Sequence, residues 1–269
     1  MARPRKYTLD ENYFDTINSS NKAYILGFIY ADGSVSKRGN LTICLSKKDT
    51  EILEFIKEEL NYSGEISTKL INKNEYSLLS IDSKVMVNRL IELGIVPNKT
   101  YNSSILPTVP KEYFNDMLRG YFDGDGSIYK NGGKGFTVSF SSNINILNSL
   151  KSYFDDLTIK TSNIRLRNKN SEYSAMLEIR GNNQIIKIKN LLYNESNIFY
   201  LKRKYNKFVE FEEYILNMTK RNHSFEIIDE VKNLYLKGIS QKDIHLTLAI
   251  PYSSVRNIVQ RLRKLKKII

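Results

Sequence analysis

Two segments of this chain carry nearly the same text. Residues 24–34 read Tyr-Ile-Leu-Gly-Phe-Ile-Tyr-Ala-Asp-Gly-Ser, and residues 117–127 read Met-Leu-Arg-Gly-Tyr-Phe-Asp-Gly-Asp-Gly-Ser. Each is an apolar stretch with small residues four apart, Gly27 and Ala31 in one and Gly120 and Gly124 in the other, and each ends in Asp-Gly-Ser. Read as helices, both stretches place their small residues on one face, a turn apart. Small residues at that spacing let two helix backbones approach closely. Packing the stretches face to face brings their C-terminal ends together, and with them Asp32 and Asp125. The duplication restricts the chain to a pseudo-twofold fold with one acid per half. Duplex DNA is a substrate with a matching approximate twofold.

The repetition continues beyond the opening stretch. Residues 41–46 and 136–141 both alternate, with Leu41, Ile43 and Leu45, or Phe136, Val138 and Phe140, on one face, the pattern of half-buried strands. Helical spacing follows over 50–60 and 143–154. Hairpins follow next, 65–71 turning through Asn72-Lys-Asn74 into 76–81, and 163–167 turning through Asn168-Lys-Asn170 into 173–179. Closing helices are expected over 84–93 and 183–192. Each half is then αββαββα, giving an α+β fold of two pseudo-symmetric units, 1–105 and 106–220. The units are joined near Pro107 and Pro110, which read as a linker.

From about residue 224 the pattern changes. Apolar residues at helical spacing over 225–236 stop at Gly238. Ser240 caps a short helix carrying Ile244 and Leu248. A turn at Ala249-Ile-Pro251 precedes a helix with Val255, Ile258, Val259 and Leu262 inside. Three short helices with a tight turn before the last predict a small all-α helix-turn-helix domain over 221–269. This segment holds ten Lys and Arg against four acids, half of the whole chain's excess.

That whole-chain excess is large. With 41 Lys and Arg against 29 Asp and Glu, the net charge is +12 over 269 residues, which points to a polyanionic partner. No apolar run approaches the length of a membrane span, and no signal-peptide stretch follows the basic start. The single cysteine, Cys44, excludes an internal disulfide and a cysteine-rich zinc site. An intracellular, reducing compartment is expected. The two histidines, His223 and His245, fall in the last fifty residues, far from the repeated acids. Hydrolytic chemistry in the repeat therefore rests on carboxylates, lysines and a metal.

Two carboxylates at two helix C-termini repel each other, and the helix dipoles add to the negative field. A divalent cation relieves both. Oxygen donors with few protein groups suit Mg²⁺, or Mn²⁺ in its place, which keeps waters and shares phosphate oxygens. Such an ion can activate water in phosphodiester hydrolysis. A calcium loop starting at Asp123 is excluded by Ile128 at its sixth position and Lys134 at its twelfth.

The segments Ile25-Leu-Gly-Phe-Ile-Tyr-Ala-Asp-Gly33 and Leu118-Arg-Gly-Tyr-Phe-Asp-Gly-Asp-Gly126 resemble two copies of the motif of the LAGLIDADG homing endonucleases. The resemblance covers roughly residues 20–210, in the single-chain form. It implies a saddle-shaped pair of antiparallel sheets over DNA, acting as a monomer on a long, imperfectly palindromic double-stranded site. It implies that the last Asp of each motif and the carbonyl before it bind the catalytic metal, here Asp32 with Ala31 and Asp125 with Gly124. A basic residue late in each repeat accompanies the site, for which Lys99 and Lys202 are the positional candidates, with Arg203 and Lys204 adjoining the second. The first motif has Tyr30 where the second has Asp123, so the halves are unequal.

Strand alternation nominates DNA-facing residues. Asn163, Arg165, Arg167 and Lys169 project from one side of their hairpin, and Lys69 occupies a comparable face in the first repeat. Lys37 and Arg38 follow the first motif as Lys130 and Lys134 follow the second. Tyr252, Ser253, Ser254 and Arg256 open the last helix, the end of a recognition helix that meets base edges. The reading is a site-specific, intron-encoded type of endonuclease that makes a metal-dependent double-strand break. The same residues also suit a non-enzymatic DNA-binding regulator on the same fold, or a maturase that binds intron RNA.

Overall fold

The repeated text folds into two sheets, each entered by one motif helix. The computed structural model describes residues 6–98, 105–132, 135–168, 171–194, 198–219 and 225–265. The first unit runs α1 (Ser20–Asp32), β1 (Gly33–Val35), β2 (Asn40–Ser46), α2 (Thr50–Glu59), β3 (Ser67–Ile71), β4 (Asn74–Asp82) and α3 (Lys84–Glu92). The second runs α4 (Phe114–Asp125), β5 (Gly126–Lys130), β6 (Phe136–Ser142), α5 (Ile144–Asp156), β7 (Arg165–Asn168), β8 (Ser171–Arg180) and α6 (Asn182–Leu192), and then adds α7 (Lys202–Thr219). The strand orders are β1-β2-β4-β3 and β5-β6-β8-β7, antiparallel throughout. This is the expected pair of αββαββα units and the expected α+β class.

Local chemistry explains the elements. Ser19 caps α1 by accepting from the Lys22 N–H at 3.3 Å, an N-cap role its side chain suits. From Ala23 to Ala31 every residue of α1 is buried, as expected of a helix apolar on all sides. In the first sheet Leu41, Ile43, Leu45, Leu79 and Ile81 point inward and are buried, while Thr42, Cys44 and Ser80 point outward. The β3–β4 turn is tighter than its sequence suggests. Only Asn72 and Lys73 lie between the strands, both with left-handed φ (49° and 65°), and Ile71 already pairs with Asn74. Two residues with positive φ make the turn that matches strand twist.

One core runs through both units, from Phe14 through Leu26, Phe122 and Phe140 to Phe211. Each such side chain gains about 1.5–3 kcal/mol on full burial. The helix α7 has no counterpart in the expected outline; Phe208, Phe211 and Ile215 fix it against this core. A second cluster, including Val231, Ile244, Val255, Ile258 and Leu262, is formed by α8 (Phe225–Leu236), α9 (Gln241–Leu248) and α10 (Tyr252–Lys264). Ala249 adopts a left-handed φ of 48° just after α9, and α10 begins after Pro251. Among the described residues no helix is long and apolar enough to cross a membrane.

Candidate functional site

The two motif helices meet at their glycines. A Cβ added to Gly27 would stand 1.9 Å from the Met117 carbonyl oxygen, and one added to Gly120 would stand 1.9 Å from that of Tyr24. These are equivalent residues of the two motifs, so the contact is reciprocal, as twofold packing requires. Nearer the ends, a Cβ on Gly124 would lie 2.2 Å from Ala31 Cβ and 3.3 Å from Asp32 Oδ2. The Asp32 carboxylate therefore sits beside the last turn of the opposite helix. Asp32 and Asp125 are both exposed at the adjoining helix ends. Beside Asp125 opens a cleft of about 240 Å³, lined by Tyr30, Ala31, Ser141, Asn143 and Tyr173.

Beneath these acids lies a buried ammonium. Lys204 Nζ donates to three successive carbonyls at the end of α4: Phe122 at 2.8 Å, Asp123 at 2.6 Å and Gly124 at 2.8 Å. Terminal helix carbonyls lack intrahelical partners, and here one cation satisfies three of them. Burial pushes the Lys204 amine down to about 8, against the pull of Asp123, Asp32 and Asp125 and with the push of Arg203. At neutral pH it is still charged, and it offsets the negative field of both helix ends. Asp123 is also buried, and burial pushes it up to about 6 while the Leu201 N–H, Lys204, Tyr24 and Tyr193 oppose that. Its carboxylate accepts from Leu201 N at 2.7 Å and from the hydroxyls of Tyr24 at 2.9 Å and Tyr193 at 3.0 Å. Burial, reinforced by Asp123, holds both phenols well above their ordinary range, so they remain donors.

The three adjoining cations of the second repeat are placed differently. Lys202 turns away and pairs with Glu51 at 2.8 Å, and its side chain is 74% exposed. Arg203 makes a two-pronged contact with Asp49, at 2.7 and 2.8 Å. Lys204, two residues on, is the one delivered to the motif. Lys99, its counterpart candidate, lies outside the described residues, as do Lys134 and Lys169. The Gly124 carbonyl already accepts from Lys204, so a cation there would share one oxygen with an ammonium; the two carboxylates are the better donors. Among the described residues no three His, Cys, Asp or Glu side chains gather into a metal cluster. Two carboxylates fit an ion that fills its shell with water and phosphate.

The remaining candidates fall on outward faces. Lys37 and Arg38 are exposed in the β1–β2 turn, and Lys69, Lys130 and Asn163 are exposed as well. Arg165 and Arg167 are exposed on β7, where Arg167 donates to Ser141 Oγ at 2.8 Å. Arg165 pairs with Glu178, and Arg180 joins the same carboxylate at 2.8 Å. Burial pushes the Glu178 carboxyl up, but hydrogen bonds from Tyr129, Arg165 and Arg180 win and leave it below the usual range. Arg180 and Glu178 were not among the sequence candidates. Their signal is the period-2 alternation of β8, which puts both on the face of Arg165. On α10, Tyr252, Ser253 and Arg256 are exposed and Ser254 is half-buried.

The model of the LAGLIDADG-like domain family matches residues 19–94 and 113–193. No curated protein matches the sequence. Among solved structures, the LAGLIDADG homing endonuclease I-GzeII in complex with its DNA target is 15% identical, with a TM-score of 0.52 over 75% of this chain and 92% of that one. I-SmaMI bound to uncleaved DNA with calcium ions is 15% identical, with a TM-score of 0.49 over 76% and 94%. Full-length DUF199/WhiA from Thermatoga maritima is 16% identical, with a TM-score of 0.42 over 97% of both chains. The family match covers both repeats, motif helices included, and the I-GzeII structure shares the fold: the chain belongs to the LAGLIDADG-like domain family.

Proposed function

We propose that this protein is a site-specific DNA endonuclease that makes a double-strand break with a divalent cation, Mg²⁺ or a substitute such as Mn²⁺. The observation that carries this reading is the pair of exposed carboxylates, Asp32 and Asp125, at adjoining helix ends over a buried Lys204 ammonium. The LAGLIDADG homing endonuclease I-GzeII, which shares the fold, was seen in complex with a DNA target, and the +12 charge suits the same partner. Asp32 and Asp125 would hold the ion. When bound, it activates water and neutralises charge on the departing oxygen. Lys204 fixes the end of α4 and offsets the mutual repulsion of the acids before substrate arrives. The proposed division is 1–105, 106–220 and 221–269, supported by the separate cluster of α8, α9 and α10. One chain supplies both halves, so a monomer would act on an imperfectly palindromic site.

The test begins with duplexes selected for binding from a random library. They are then offered to the full chain with Mg²⁺ and with a chelator. Breakage of both strands with Mg²⁺, and binding without breakage in chelator, is the expected result. Tight, selective binding without cutting under any divalent ion would favour the regulator reading.

A further inference from the structure

The two sheets are copies in topology and opposites in surface chemistry. The strands of the second sheet carry three arginines on the outward face: Arg165, Arg167 and Arg180. Each is held by a neighbour on that sheet. Glu178, itself 2% exposed, accepts from Arg165 and Arg180, and Ser141 accepts from Arg167. The Glu178 carboxylate is fixed in turn by the Tyr129 hydroxyl at 2.8 Å. A guanidinium bonded on one edge loses less freedom when its remaining donors find a ligand, and its planar fork matches the O6 and N7 acceptors of guanine in the major groove.

The strands of the first sheet contain no arginine and a single lysine, Lys69. Their outward face is mainly hydroxylic and apolar, with the Asn40 amide and the Asp82 carboxylate paired at one end. Cys44 pairs across the ladder with Leu78, Thr42 with Ser80, and Lys69 with Tyr76. Methyl, thiol and aromatic groups of this kind make apolar contact with the C5 methyl of thymine, and hydroxyls bond to any base. A lone lysine supplies a point charge without a fork.

We infer that the two sheets read chemically different half-sites, guanine-bearing under the second sheet and thymine-rich under the first. This deepens the proposed function and rests on its DNA-binding part alone. The motif contact is twofold, but recognition is not, because the strands diverged where the helix interface could not. A long target would then enter in one orientation, with its guanines gathered under β7 and β8.

The experiment uses the full chain without divalent metal, so that binding is read apart from cutting. Bound duplexes are selected from a random library, and all affinities are measured, with the unlabelled chain; a photo-cross-linker on Cys44, the only cysteine and an exposed one, is then used solely to mark which half of the selected site lies beneath the first sheet. Guanines should concentrate in the half away from the cross-link. There, 7-deazaguanine, which lacks N7, should weaken binding by about tenfold per contacted base, with a clearly smaller effect in the marked half. Deoxyuridine in place of thymidine should weaken binding by about threefold per lost methyl, in the marked half only. Arg165→Lys and Arg180→Lys keep the charge and lose the fork; they should relax guanine preference while leaving the salt dependence unchanged. Both arginines are exposed, so folding is spared.

Guanines divided equally between the halves, or equal 7-deazaguanine effects in both, would overturn the inference. So would lysine variants that keep the guanine preference. Selection of no sequence at all would instead sink the DNA-binding reading itself. Selective, lopsided binding without cutting under Mg²⁺ would support the inference while removing the nuclease.

Discussion

The two motif helices agree on the faces that touch each other and differ on the faces turned away. A Cβ added to Gly27 or to Gly120 would stand the same 1.9 Å from a carbonyl oxygen of the opposite helix, and both helices end in an exposed Asp. On their other sides, Leu26 and Tyr30 of α1 stand where α4 has Arg119 and Asp123. Arg119 donates to the carbonyls of Leu192 and Phe199, and Asp123 accepts from Tyr193 and Leu201. Together they fasten the chain returning from α6, which delivers Lys204. In the first unit Leu26 lies in the apolar core, and Tyr30 reaches the Ile105 carbonyl at 3.0 Å. A helix interface this close admits no side chain, so both copies must keep it. The task of holding the return segment can be met by buried charge or by a hydroxyl and grease.

The comparison breaks most sharply at the paired acids. Asp32→Asn and Asp125→Asn should each lower cleavage on the order of 10³-fold or more, because each removes half of the charge that holds the ion. Binding should survive, since losing negative charge beside phosphate does not oppose it. Gel assays of nicked and linear plasmid check this. A variant that still cuts near the wild-type rate would show that the helix ends are equal in shape only.

Lys204→Met should come next, with cleavage slower by about 10²-fold and affinity for the duplex little changed. It leaves three carbonyls of α4 without their cation, so some loss of stability accompanies it. Equal effects of Lys202→Met and Lys204→Met on cleavage would return Lys202 to the site.

These positions divide what the sequence could reveal from what it could not. Alternation at 41–46 and 136–141, helical spacing, and the duplicated Asp-Gly-Ser are local signals, and each element they predicted is present. The choice among Lys202, Arg203 and Lys204 was not local. Three consecutive cations at the start of α7 point three ways, to Glu51, to Asp49 and to the end of α4. Only the packing of α7 against the core decides which goes inward. The helix itself carried a readable signal in Phe208, Phe211 and Ile215. Arg180 escaped because the strand read as 173–179 ends one residue short of it, and Glu178 because acids on a basic face look like solvent.

Gly27→Ala and Gly120→Ala test the symmetric half of the comparison. Each new methyl meets a backbone carbonyl rather than a flexible side chain, so the helices must part, at a cost of about 3 kcal/mol in each case, the upper end for overpacked cores. Urea denaturation should show both losses, equal within error. A clear inequality would mean that one unit yields more readily than the other.

The asymmetric positions should give smaller and unequal losses. Asp123→Asn keeps an acceptor for Leu201 N but weakens three hydrogen bonds to a charged group, worth about 2 kcal/mol in sum after the tyrosines reorient. The change should also loosen Lys204, visible as faster acylation of that lysine by mass spectrometry. Unchanged protection of Lys204 would separate the carboxylate from the return segment.

Tyr30→Phe is the gentlest probe and the most telling about the first unit. It deletes one hydroxyl that donates to Ile105 at 3.0 Å and leaves the ring tilted against Tyr121, whose centroid is 5.7 Å away. The apolar burial is unaltered, so the loss is one neutral hydrogen bond, about 1 kcal/mol. Hydrogen exchange should report it around residue 105 and leave the α7 start untouched. If Tyr30→Phe costs as much as Asp123→Asn, the hydroxyl is a full counterpart of the carboxylate. If it costs nothing, the first return segment is held by packing alone, and the polar fastening belongs only to the half that carries Lys204.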